Sequence, residues 1–141
     1  MATLTPADHI AINALVSRYF WLVDHGRAGE TAALFSPAAT LTFAPGSPKP
    51  GTLEGTAIAA AMAAREKQTG VTTRHVLSNV ALTPREDGAV EGYLLLTLFR
   101  SDDETRGTTP AAVADIEDLY VRAADGWRIE RRLITPIFNR A

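Results

Sequence analysis

Residues 72–82, TTRHVLSNVAL, carry two side chains that could move a proton or hold an oxygen: the His75 imidazole and the Asn79 amide. An imidazole titrates near neutral pH and serves as general acid or base. An amide can donate to a substrate oxygen. The apolar Val76, Leu77, Val80 and Leu82, with Pro84 just beyond, predict a strand. Alternation then puts His75, Leu77, Asn79 and Ala81 on one face, and Arg74, Val76, Ser78 and Val80 on the other. An imidazole and an amide among small and apolar neighbours are the raw material of a ligand pocket. The plain alternatives are a satisfied, partly buried His75 in a non-catalytic domain and an Asn79 that serves a loop backbone.

Other candidates lie elsewhere in the chain. Tyr19 falls in the middle of an apolar helical stripe, and its hydroxyl, if buried, needs a ligand, a water or the rim as partner. Tyr93 is a similar rim candidate. Asp115, Glu117 and Asp118 face Arg131 and Arg132 across a turn, which reads most simply as cross-strand ion pairing worth ~0.2–1 kcal/mol per pair. The sharper version buries Asp118 with one arginine at a pocket mouth, so Asp118 and Arg131 are candidate substrate contacts. Asp24 stands near a helix end beside Phe20, where an acid opposes the helix dipole. It is either solvated near Arg18 or Arg27, or compensated by a role. His9 is expected at the surface.

Several chemistries are not supported. There is no cysteine and no serine in a Gly-flanked elbow, so a nucleophilic triad is not expected. Three dispersed histidines form no ligand cluster, and no metal is expected. No Gly-rich phosphate loop occurs.

The elements that must position these residues follow from pattern. Thr5-Pro6-Ala7-Asp8 starts a helix, with Thr as N-cap, Pro first and an acid in the first turn. Ile12, Leu15, Val16, Tyr19, Leu22 and Val23 make its stripe, and Gly26 its stop; Trp21 and His25 fall opposite. Residues 29–35 predict a short second helix ended by Ser36-Pro37, residues 39–43 a first strand, and residues 44–51 (APGSPKPG) a loop, either lid or connector. An alanine-rich third helix starts at Thr56. Four strands complete the chain: residues 72–82, 89–100, 111–122 and 127–137, with two-residue hairpin signals at Asp87-Gly88 and Asp125-Gly126. Segregated helices and a meander make an α+β domain.

A chain of 141 residues suits one domain with a proper core, here residues 1–141. Its 14 Lys and Arg against 16 Asp and Glu leave a net charge of −2, so no nucleic-acid footprint is read. The N-terminus shows no basic region before a long apolar core, and no run nears the ~20 residues that cross a bilayer. No membrane association is expected, and a cytoplasmic protein is.

The order of elements, with Tyr19 to Asp24, Ala32-Ala33-Leu34-Phe35, Arg74-His75 with Asn79, and residues 116–122 leading into Asp125-Gly126-Trp127-Arg128-Ile129, resembles the SnoaL-like branch of the nuclear transport factor 2-like superfamily. The resemblance implies a cone: a curved, mostly antiparallel sheet wrapped around a long N-terminal helix, three helices in all, with an apolar pocket at the wide end. The chain is similar to scytalone dehydratase, which implies that Asp24 orients His75 as an acid/base pair. It departs in having Val23 where the dehydratase has a tyrosine, and no second histidine between Thr56 and Val71. It is also similar to the β subunits of ring-hydroxylating dioxygenases, which assemble without catalysing.

Two functional expectations follow. One is a cofactor-independent dehydratase, isomerase or cyclase acting on a small apolar oxygenated molecule, with Tyr19 or Asn79 steadying its oxygen. The other is an assembly subunit or a small-ligand-binding module. Self-association as a homodimer or homotrimer is expected in either case.

Overall fold

A computed structural model describes residues 3–140. The N-terminal helix α1, Pro6–Asp24, is fastened at its start by a reciprocal capping box. The Asp8 amide donates to Thr5 Oγ1 and the Thr5 amide to Asp8 Oδ2, each at 3.1 Å. It ends where Gly26 turns left-handed (φ 75°), letting the Arg27 amide reach back to the Leu22 carbonyl at 2.9 Å. A 3-10 helix, Ala28–Leu34, follows, and then strands β1 (Phe35–Phe43) and β2 (Gly51–Glu54). Helix α2 (Thr56–Glu66) precedes β3 (Thr72–Pro84), β4 (Val90–Ser101), β5 (Ala112–Ala123) and β6 (Gly126–Asn139).

The six strands form one mixed sheet in the order β2-β1-β6-β5-β4-β3. Only β1 and β6 run parallel; the other neighbours are antiparallel. The sheet does not close. It curves around α1, which buries Ile12, Val16, Tyr19, Phe20 and Val23 against Leu41, Leu94, Ile116, Tyr120 and Ile129. Each such aliphatic side chain contributes about 1.5–3 kcal/mol by leaving water. This is the expected α+β cone with three helices. Among the described residues no helix is long and apolar enough to cross a membrane.

Several local expectations are corrected. The second helix is 3-10 rather than α, and Phe35 already belongs to β1. Pro37 is tolerated there because β2 pairs only with residues 40–43, leaving the earlier part of β1 open on that side. The stretch after the proline loop adds the short strand β2, which was not anticipated. The first hairpin loop has three residues, with Glu86-Asp87 in the turn and Gly88 left-handed at φ 89°. The second loop is Ala124-Asp125, because Ala123 pairs with Gly126.

Candidate functional site

The C-terminal turn of α1 abuts the start of β3, and Asp24 is the last residue of the helix. Its carboxylate takes three hydrogen bonds from β3. Thr73 Oγ1 donates to Oδ1 at 2.8 Å, the His75 amide donates to Oδ2 at 2.9 Å, and His75 Nδ1 lies 2.6 Å from Oδ1. Those donors offset the unfavourable dipole at the helix end. Arg65 Nη2 supports Thr73 from α2 at 3.1 Å, and Arg74 Nη1 donates to the Asp24 carbonyl at 3.2 Å. The solvated reading of Asp24 is thus set aside: its side chain is only 6% exposed and that of His75 13%.

Burial pushes the Asp24 carboxyl up, but the hydrogen bond and charge of His75, with help from Thr73, outweigh it and hold the group below the usual carboxylate range. When the ring is neutral, an ionised Asp24 holds its proton on Nδ1 and leaves Nε2 with the lone pair. Nε2 makes no hydrogen bond among the described residues, and the ring packs on Phe20 with centroids 4.7 Å apart. A half-buried imidazole with one nitrogen pinned and the other free can give or take a proton.

A second cluster lies deeper, between α1 and the sheet. Arg132 Nε and Nη2 donate to Asp118 at 2.8 and 2.7 Å, and the Tyr120 hydroxyl donates to Asp118 Oδ2 at 2.6 Å. Both side chains of the ion pair are fully sealed. Burial pulls the arginine down, but Asp118 more than restores it, so the guanidinium stays charged. The Tyr120 ring fits because Gly92 lies beneath it: a Cβ there would sit 2.5 Å from Tyr120 Cε2. Tyr19 lies under the guanidinium, its ring centroid 4.6 Å from Arg132 Cζ.

The remaining predicted residues scatter. A β-bulge interrupts β3 between Ser78 and Ala81, and Asn79 takes a left-handed φ of 54°, so Asn79 leaves the His75 face and is exposed. Tyr93 is 43% exposed on the outer, solvent side of the sheet, where its hydroxyl donates to Asp115 at 2.9 Å. Arg131 also points outward and is exposed; the arginine of the buried pair is Arg132. The turn alone would set Asp118 opposite Arg131, but Glu130 is an extra unpaired residue that shifts the register by one. Tyr93 and Arg131 instead line an outer groove of about 530 Å³, together with Thr42, Thr83, Glu117 and Leu133. That groove lies on the face opposite His75.

Thr73, Phe20 and Met62 complete the interior and were missed. Phe20 lies just outside the narrow stripe drawn from the helical wheel, and Thr73 needed the pairing of β3 with α1 to be known. The loop after β1 sits at the same end of the sheet as His75, and Gly46 accepts from Asn139 Nδ2 of β6 at 3.3 Å. Among the described residues no group of three or more His, Asp or Glu is placed to hold a metal ion.

The SnoaL-like domain model matches residues 5–133. The chain belongs to the SnoaL-like domain family. Solved structures share its fold. Aln2 from a Streptomyces species is 22% identical with a TM-score of 0.78, over 94% of this chain and 92% of that one. A scytalone dehydratase candidate from Novosphingobium aromaticivorans is 18% identical with a TM-score of 0.79, over 95% and 87%. An NTF2-like protein with a cystatin-like fold from the same organism is 22% identical with a TM-score of 0.76, over 96% and 85%. No curated protein matches the sequence.

Proposed function

We propose that this chain is an acid/base enzyme of the dehydratase, isomerase or cyclase type, working without a cofactor on a small, largely apolar, oxygenated substrate inside the cone. One observation carries the reading: Asp24 grips both the ring and the backbone amide of His75, leaving Nε2 without a partner among the described residues. In that arrangement Nε2 takes a proton from a carbon beside a carbonyl, and the electron pair moves onto the carbonyl oxygen. The imidazolium, steadied by Asp24, returns the proton to a departing hydroxyl or to another carbon. The family and a neighbour described as a scytalone dehydratase candidate support the same class of chemistry.

The test is deuterium uptake at the α-carbon of aromatic ketones, 1-tetralone among them, followed by NMR in D2O. Uptake faster than in buffer, and lost in His75→Gln, is expected. No acceleration across the panel, or an unchanged rate in His75→Gln, sinks the reading.

The outer sheet face supports a homodimer or homotrimer. Tyr93 is exposed there beside Glu117, Arg131 and Leu133, a mixture of apolar and opposite charges that can complement itself across a symmetry axis. Light scattering decides it, since a monomer at micromolar concentration rules the assembly out. A chain that assembles but exchanges no proton would be a non-catalytic subunit.

A further inference from the structure

Asp24 answers to more than His75. Its Oδ1 lies 2.6 Å from Nδ1 of the ring and takes the Thr73 hydroxyl at 2.8 Å, so one oxygen is shared between two donors. Behind Thr73 stands Arg65, in the last turn of α2, with Nη2 3.1 Å from Thr73 Oγ1. A guanidinium can only donate, and a hydroxyl has one proton to give. Arg65 therefore fixes the direction of the chain: it donates to Thr73, and Thr73 must pass its own proton to Asp24. Hydrogen bonds aligned in this way polarise one another.

The plain reading is a tether. Arg65 to Thr73 is the one side-chain hydrogen bond from α2 to β3 among the described residues, and a cation suits a helix C-terminus. Charge argues for more. Arg65 is half-buried and has no salt-bridge partner of its own among the described residues. Burial and the nearby Arg100 hold its guanidinium below the ordinary arginine value, and the opposing pull comes from Asp24. Arg100 faces Thr73 across the β3–β4 ladder and is taken up by Asp102 at 2.9 Å. Arg74 donates to the Asp24 and Thr73 carbonyls at 3.2 and 2.7 Å.

The charged groups around the ring are thus Asp24 from α1, Arg65 from α2, Arg74 from β3 and Arg100 from β4. Asp24 is the carboxylate that must serve both Arg65 and the imidazole. When His75 is protonated it becomes a second cation on an anion already in use, and like charges disfavour one another.

We propose that Arg65, acting through Thr73, is a positioning residue that limits how firmly His75 keeps a proton, so that Nε2 stays available as a base. Its use in turnover rests on the acid/base reading of His75; its effect on the ring does not.

The test labels the histidine rings with nitrogen-15 and reads the ratio of imidazolium to neutral ring by NMR, with His75 assigned from the signal missing in His75→Gln. Arg65→Gln keeps a donor and removes the charge, Arg65→Lys keeps the charge, and Thr73→Val removes the hydroxyl; near-UV circular dichroism checks each fold. At one mildly acidic pH the ratio should rise about two- to five-fold in Arg65→Gln and Thr73→Val, the scale of one partly exposed charge contact. Arg65→Lys should restore the wild-type ratio. Deuterium uptake by the aromatic ketones should fall by the same factor in Arg65→Gln on the acid side and by less towards alkaline pH. A tether alone would change it equally at every pH.

An unchanged ratio in Arg65→Gln overturns the assignment, and so does an equal rise in Arg65→Lys. If Thr73→Val does not fold, the two Arg65 variants decide the matter, because that side chain reaches solvent. A ratio that moves as expected, with no uptake by the wild type, removes the acid/base reading and keeps the role of Arg65. Uptake lost in His75→Gln, with the ratio fixed in Arg65→Gln, removes the role of Arg65 alone.

Discussion

Asp24 and Asp118 each hold a nitrogen side chain by two contacts, one at the rim of the cone and one sealed inside it. Asp118 binds a guanidinium, which never gives up its proton, and adds a tyrosine hydroxyl; all three groups are closed off from water. The result is a fixed charge pair. Asp24 binds an imidazole through one nitrogen and the backbone beside it, and leaves the other nitrogen open. The result is a group whose proton can move. The same carboxylate chemistry thus gives a sealed, fixed support or holds an imidazole with one nitrogen open, according to the partner and the depth of burial.

Removing one partner of the sealed pair should have the largest effect on the fold. Asp118→Ala leaves a buried guanidinium alone and should cost about 3–5 kcal/mol, read by urea denaturation. A loss below about 1 kcal/mol would show that the pair is far wetter than its geometry implies. At the rim the effect should fall on rate instead. His75→Gln should slow α-proton exchange by about 10²–10⁴ while the melting temperature barely moves. A collapse of stability in that variant would make the two sites alike and end the contrast.

Gly92→Ala attacks the sealed cluster indirectly, by pushing the Tyr120 ring off β4. It should destabilise the chain by about 1–3 kcal/mol. The smallest effect concerns pH. The Asp24 carboxyl is held below its ordinary value in the folded state, so its contacts stabilise the fold above the ordinary carboxylate pKa. That stability is lost as pH falls below about 4 and through the folded value. Melting curves of Asp24→Asn should therefore show a shallower decline on acidification than those of the wild type. An identical decline would mean that Asp24 is not held as its hydrogen bonds indicate.

Local chemistry made much of the fold legible in the sequence. Thr5, Pro6, Asp8 and Gly26 mark both ends of α1 because caps depend on residues a few positions apart. The strands after Gly70 follow from alternation and turn residues in the same way. The site was less legible wherever it depended on register. Asn79 carries no sign that it would turn left-handed in a bulge, and Glu130 none that it would go unpaired and bring Arg132 rather than Arg131 to Asp118. The outward direction of Tyr93 follows from the parity of β4, where Val90, Leu94 and Leu96 are buried. That parity was hidden because Leu95 and Phe99 make the opposite face apolar too. Gly92, inside a strand, was a visible sign of a close approach, yet Tyr120 could be named only once β4 and β5 were aligned.

The parallel contact between β1 and β6 has a consequence for how the chain is made. β6 pairs on one side with β5, its neighbour in sequence, and on the other with β1, formed some ninety residues earlier. As the chain leaves the ribosome, β1 has only the short β2 beside it until β6 appears. Such distant pairing is slow, because the ends of a long loop must meet before any contact rewards them. Arg132 lies on that same final strand. The guanidinium that completes the interior therefore arrives at the moment the sheet is joined, and a nascent chain that stalls before β6 displays an unpaired β1 edge and an unanswered Asp118 to whatever chaperone or neighbour is at hand.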